Sequence, residues 1–132
     1  NDSMGKHVAT EVIKLMMRNN LGLIDSKVLI LGFTFKEDCP DVRNTRVIDI
    51  YNELKNFDIN VEVYDPWVEP KVVEYEYGIE VVNEIPIGPY AAVILAVAHE
   101  EFLSLDLRSL TPNGIVYDVK GILPKEFIDS RL

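Results

Sequence analysis

The run Lys27-Val28-Leu29-Ile30-Leu31-Gly32 constrains the fold more than any other stretch. Apolar residues, rich in β-branching, end at a glycine. This is the pattern of a strand buried on both faces, as in a parallel sheet. A polar segment follows, and then an amphipathic run over residues 47–57. The unit reads as strand, loop, helix, and its functional residues are expected in the loop at the carboxyl end of the strand.

That loop carries Lys36, Arg43 and Arg46 among Glu37, Asp38 and Asp41. Gly32 lets the backbone turn tightly or approach a ligand closely. Asn44 or Thr45 can cap the following helix and leave its first N–H groups facing the crevice. Free N–H groups with Lys36 and Arg43 make a phosphate site. The same cations can instead pair with the neighbouring acids and hold the loop. The glycine-rich dinucleotide fingerprint is not met, because Gly32 is followed by Phe33-Thr34-Phe35. Asp65 ends the next strand, where such folds often hold a ribose, but Asp65-Pro66 also reads as a turn. No Walker phosphate loop is present.

The rest of the chain extends the same alternation. Residues 4–20 carry Val8, Val12, Leu15 and Met16 at helical spacing, widened by Ile13 and Met17. His7, near the start, has no metal partners at useful spacing and is read as a surface or interface residue. Residues 60–64 form a second strand and 69–77 a weaker helix ended by Gly78. Tyr75 and Tyr77 lie among Glu74 and Glu76, so they are read as packing and not as a base-stacking platform. Residues 80–82 are expected as a short edge strand. Residues 91–98 are the most apolar strand and should be central. His99 follows at its carboxyl end, facing the crevice of Lys36, where it either contacts substrate or caps the loop. Residues 115–119 form the last strand, and 124–127 open a terminal helix.

The fold expected is therefore α/β: a three-layer, Rossmann-like domain with a mostly parallel sheet of about five strands. The expected strand order is 3-2-1-4-5, which puts Lys36 and His99 beside the switch-point crevice. The length of 132 residues suits one core. The formal net charge of −9 disfavours nucleic acid and anionic membrane as partners, so any phosphate site is a local basic focus. A single cysteine permits no internal disulfide. No apolar run reaches about 18 residues, and no signal pattern opens the chain. These features lead to the expectation of a cytoplasmic protein with no membrane segment.

Three pieces, Gly32-Phe33-Thr34-Phe35-Lys36-Glu37-Asp38, Asp41-Val42-Arg43-Asn44-Thr45 and Val63-Tyr64-Asp65-Pro66, in this spacing resemble the C-terminal domain of the UDP-glucose/GDP-mannose dehydrogenase family. Glu37-Asp38-Cys39-Pro40-Asp41, Asp65-Pro66-Trp67, Ala96-Val97-Ala98-His99 and Tyr117-Asp118-Val119-Lys120-Gly121 are similar to its bacterial UDP-N-acetylhexosamine 6-dehydrogenase branch. The resemblance implies that residues 1–22 are a helix continuing from a missing central region, and residues 23–132 a nucleotide-sugar-binding domain. It implies a complete enzyme, a homodimer or larger, that oxidises a C6 alcohol to a carboxylate with NAD for polysaccharide precursors. NAD would be bound mainly by a missing N-terminal domain, and the isolated domain would lack activity. Phe35 and Lys36 are the implied nucleotide-sugar side and Arg43 the implied contact to NAD; Gly32, Phe33 and His99 are added as substrate-side candidates from their places at the strand ends. No catalytic or metal residue is assigned. Cys39 lies outside the glycine-rich context of the family's nucleophile and is not read as catalytic. The alternative is a structural module that serves assembly and binds no ligand by itself.

Overall fold

The structure, a computed structural model, describes residues 2–132. The strands are β1 (Lys27–Leu31), β2 (Asn60–Tyr64), β3 (Ala92–Leu95), β4 (Ile115–Asp118) and β5 (Ser130–Arg131). They form one sheet in the order β2-β1-β3-β4-β5, and every pairing is parallel. The helices are α1 (Asp2–Arg18), α2 (Val47–Lys55), α3 (Pro70–Tyr77) and α4 (Leu107–Leu110).

Period-two alternation sorts the strands into two cores. Val28, Ile30, Ala92, Ile94, Ile115 and Tyr117 face one side, with α1 and α2. Leu29, Leu31, Val93, Leu95 and Val116 face the other, with Phe102, Leu107 and Leu110. Both faces are covered, which is why these strands read as unbroken apolar runs. On α1 the periodic residues Val8, Ala9, Val12 and Met16 are wholly buried, so this helix is part of the core. His7 is exposed, as the sequence suggests.

The strands differ from expectation at three places. Residues 80–82 make only a single bridge, Val82 to Tyr64, at the β2 edge. Asn83 then turns its side chain back onto the carbonyls of Asp65 and Val68, which ends the pairing. The fifth strand is instead β5, which follows a 3-10 turn at Lys125–Phe127 where a helix was expected to open. Nothing apolar announces β5. Asp129 places it, accepting the Val116 N–H at 2.8 Å and the Arg108 guanidinium at 3.0 Å. The fourth expected strand, over 91–98, closes early, at Leu95. Ala96 and Val97 both donate to the Leu31 carbonyl and lead the chain off the sheet.

The chain passes from β1 to β2 on one side and returns to β3 on the other. The carboxyl ends of β1 and β3 therefore flank the switch point.

Candidate functional site

The residues after β1 leave the sheet at Gly32, which sits at φ +96. A Cβ there would also lie 2.5 Å from the Cβ of Val97, so both backbone angle and space require glycine. Phe33 turns inward, is 0% exposed and packs edge-on against Tyr77 at 5.2 Å. Phe35 turns outward and is 56% exposed. Lys36 is exposed beside it, and its ammonium is not drawn into an ion pair among the described residues. The Phe35 N–H donates to the Asp41 carbonyl at 2.7 Å, closing residues 35–41 into a loop.

The loop is held from below by Asp65, at the end of β2 and 0% exposed. Its Oδ2 accepts the Phe33 N–H at 2.7 Å, the Thr34 N–H at 3.1 Å and His99 Nε2 at 3.0 Å. Its Oδ1 accepts the Trp67 N–H at 2.8 Å, forming the turn that Asp65-Pro66 announces. His99, also 0% exposed, accepts the Asp38 N–H at Nδ1, 2.9 Å away. The ring proton therefore sits on Nε2 and points to Asp65, with the Thr34 hydroxyl 3.1 Å away. Trp67 stacks on the imidazole at 5.9 Å, and its Nε1–H reaches Glu101 at 3.0 Å. Asp38, at φ +54, accepts the Glu100 N–H and so joins the loop to the 3-10 turn Glu100–Ser104.

Of the two roles open for His99, loop support is the one its geometry serves. Gly32, Phe33 and His99 were expected at the substrate. They lie behind the surface, with the Phe33 N–H and both His99 nitrogens engaged, and Phe35 and Lys36 stand in front. The expectation for α2 also changes. Neither Asn44 nor Thr45 is the cap: Arg46 takes that position without a side-chain cap bond, and the Thr45 hydroxyl just before it accepts the Val47 N–H at 3.2 Å, so that donor does not face the crevice.

Arg43 forms a two-pronged pair with Asp41, with Nε to Oδ1 and Nη2 to Oδ2 both at 3.0 Å. Its side chain remains 81% exposed. The guanidinium, donating these hydrogen bonds, holds the Asp41 carboxyl down at about 2. Arg43 thus holds the loop and faces solvent at once, so the two readings of this cation are compatible.

The residue that sequence reasoning undervalued is Asp65, read mainly as a turn former. A signal for it exists: Tyr64-Asp65 and Tyr117-Asp118 repeat the same dipeptide at the carboxyl ends of β2 and β4. Asp118 is likewise 0% exposed, and accepts the N–H groups of Lys120, Gly121 and Leu123. At both strand ends a buried carboxylate gathers the N–H groups of a crevice loop. Among the described residues no group of His, Cys, Asp or Glu is arranged to hold a metal ion.

A parallel, doubly wound sheet with an anchored, cation-bearing loop at its switch point defines a Rossmann-like ligand-binding domain. The profile of the UDP-glucose/GDP-mannose dehydrogenase family, UDP binding domain, matches residues 29–125, and the chain belongs to that family. It is 43% identical, over 100% of its length, to a UDP-N-acetyl-D-glucosamine 6-dehydrogenase of Salmonella typhi, of which it covers 32%. A Pseudomonas aeruginosa protein of the same name is 40% identical, again over 100% of this chain and 32% of that protein. The chain thus spans about a third of the length of these relatives. The fold matches the NDP-N-acetyl-D-galactosaminuronic acid dehydrogenase of Methanosarcina mazei Go1, with a TM-score of 0.83 at 22% identity over 96% of this chain and 27% of that one.

Proposed function

We propose that the chain is the nucleotide-gripping domain of an NAD-dependent UDP-N-acetylhexosamine 6-dehydrogenase, which converts a C6 alcohol to a carboxylate. The observation that carries this reading is the outward pair Phe35 and Lys36 on an anchored loop, within a chain so similar end to end to UDP-N-acetyl-D-glucosamine 6-dehydrogenases. Phe35 offers an aromatic face to the nucleotide, and Lys36 a point charge to its diphosphate. Gly32 and Phe33 carry the turn that presents them. The rim is open, which suits a domain that closes over a ligand held from the other side by the remainder of a longer protein. Residues 1–22 then lead in from that remainder, residues 23–132 form the binding domain, and the whole works as a cytoplasmic homodimer or larger assembly.

NAD would supply the hydride acceptor and be held mainly outside this chain. Arg43 fits a role toward it, because an exposed, oriented guanidinium suits a pyrophosphate oxygen. No residue of this chain is assigned to the chemical step.

Titration of the 132-residue chain with UDP, followed by amide chemical shifts, tests the reading. Shifts centred on Phe35 and Lys36 are expected. Flat spectra up to millimolar UDP would favour the structural-module alternative. Shifts centred away from residues 33–43 would overturn the site.

A further inference from the structure

Residues 35–38 are all exposed, yet both flanks of this short segment are tied to buried groups. Thr34 is held through its N–H by Asp65, and its hydroxyl donates to the Lys36 carbonyl at 2.9 Å. Asp38 is held through its N–H by His99. His99 is itself oriented by Asp65. One buried carboxylate therefore fixes both ends of the segment, the near end directly and the far end through an imidazole.

We propose that Asp65 and His99 are positioning residues, which pre-order the loop so that Phe35 and Lys36 meet the nucleotide in one conformation. This rests on the reading of those two residues as nucleotide contacts. A carboxylate removed from water is costly unless its lone pairs are satisfied, and Asp65 is satisfied by N–H groups of the loop and its supports alone. The arrangement ties the burial of that carboxylate to a single loop geometry. The imidazole has one orientation as well. Trp67 covers one face, Phe102 meets it edge-on at 5.3 Å, and its two nitrogens have different duties. Ordering the loop before the ligand arrives removes conformational entropy from the cost of binding.

The two nitrogens can be tested separately. His99→Asn keeps an acceptor near the place of Nδ1 and loses the donor to Asp65. His99→Gln keeps a donor near Nε2 and loses the acceptor for Asp38. Both remove one half of the ring's bonding, so both are expected to lower the melting temperature similarly. Amide hydrogen exchange without ligand gives the first measurement. The Asp38 N–H should be protected in the wild type and in His99→Asn, and exchange freely in His99→Gln. The second is UDP affinity, expected to fall about tenfold in His99→Gln and less in His99→Asn at equal folded fraction. An Asp38 amide that exchanges alike in all three proteins would overturn the proposal. So would full UDP affinity in His99→Gln. A wild type that ignores UDP would refute the binding site itself, and the exchange experiment would still decide whether His99 orders the loop.

Discussion

Arg43 and Asp41 show how one residue pair serves two ends. The guanidinium spends Nε and one Nη on the carboxylate and stays at the surface. Asp41 is held at about 2 against an ordinary value of 3.8. A depressed folded value means that the pair's contribution is complete above the ordinary value and is lost as pH falls through about 2. A carbon-13 titration should find Asp41 near 2 in the wild type and back toward 3.8 in Arg43→Ala. In the longer protein, Arg43→Ala should weaken NAD use about ten- to a hundredfold, as expected for a lost charge-assisted contact. Unchanged NAD dependence in a well-folded variant would leave Arg43 as a loop brace only. The sequence shows that these cations and acids are neighbours. It does not show that one arginine can hold the loop while remaining open to a ligand, because that depends on the direction of the fork.

At the scale of elements, α1 meets α2 at Gly5. A Cβ on Gly5 would lie 2.4 Å from the Cβ of Asp49, so the helices approach as closely as their backbones allow. Gly5→Ala sets two effects against each other. Helix propensity favours alanine by about 1 kcal/mol. Overpacking at a contact this short costs about 1–3 kcal/mol, because α1 must shift against a filled core. The net effect expected is a lower melting temperature, read by calorimetry or circular dichroism. A higher one would mean that α1 rides loosely on α2. The stripe of α1 is plain from Val8, Val12, Leu15 and Met16. The role of Gly5 is not, since a helix carries no mark of which partner backbone it will touch.

At the scale of the whole molecule, the proposed function assigns this chain to binding and gives Cys39 no part in the chemistry. Cys39 is a free thiol in the surface loop between Asp38 and Pro40, partly exposed. In the longer protein, Cys39→Ser should leave kcat within about twofold of the wild type, the mark of a residue outside the transition state. A loss of several orders of magnitude would place the chemistry in this chain after all. The chain carries a net charge of −9, so under the proposed function Lys36 would act as a local basic focus on an acidic protein.

Sequence alone determined the doubly wound frame. Apolar runs ending in glycine or polar loops dictate strands buried on both faces, and their alternation with amphipathic helices allows little besides a parallel sheet. It also located the rim, because Lys36 and His99 follow the two strands that flank the reversal in strand order. The tertiary structure decided which rim residues face outward. Phe33 and Phe35 are two residues apart and chemically alike, yet one is buried against Tyr77 and the other is open to solvent. That distinction arises from Asp65, which lies 32 positions away from Phe33 and captures its N–H. His99 likewise became a support because Asp38, 61 positions earlier, donates to it. β5 exists because Asp129 reaches across to Val116, with no apolar pattern of its own. Hydrophobic periodicity is local and can be read along the chain. The partners of buried polar groups are set by which loops the closed sheet brings together, and only the folded chain shows them.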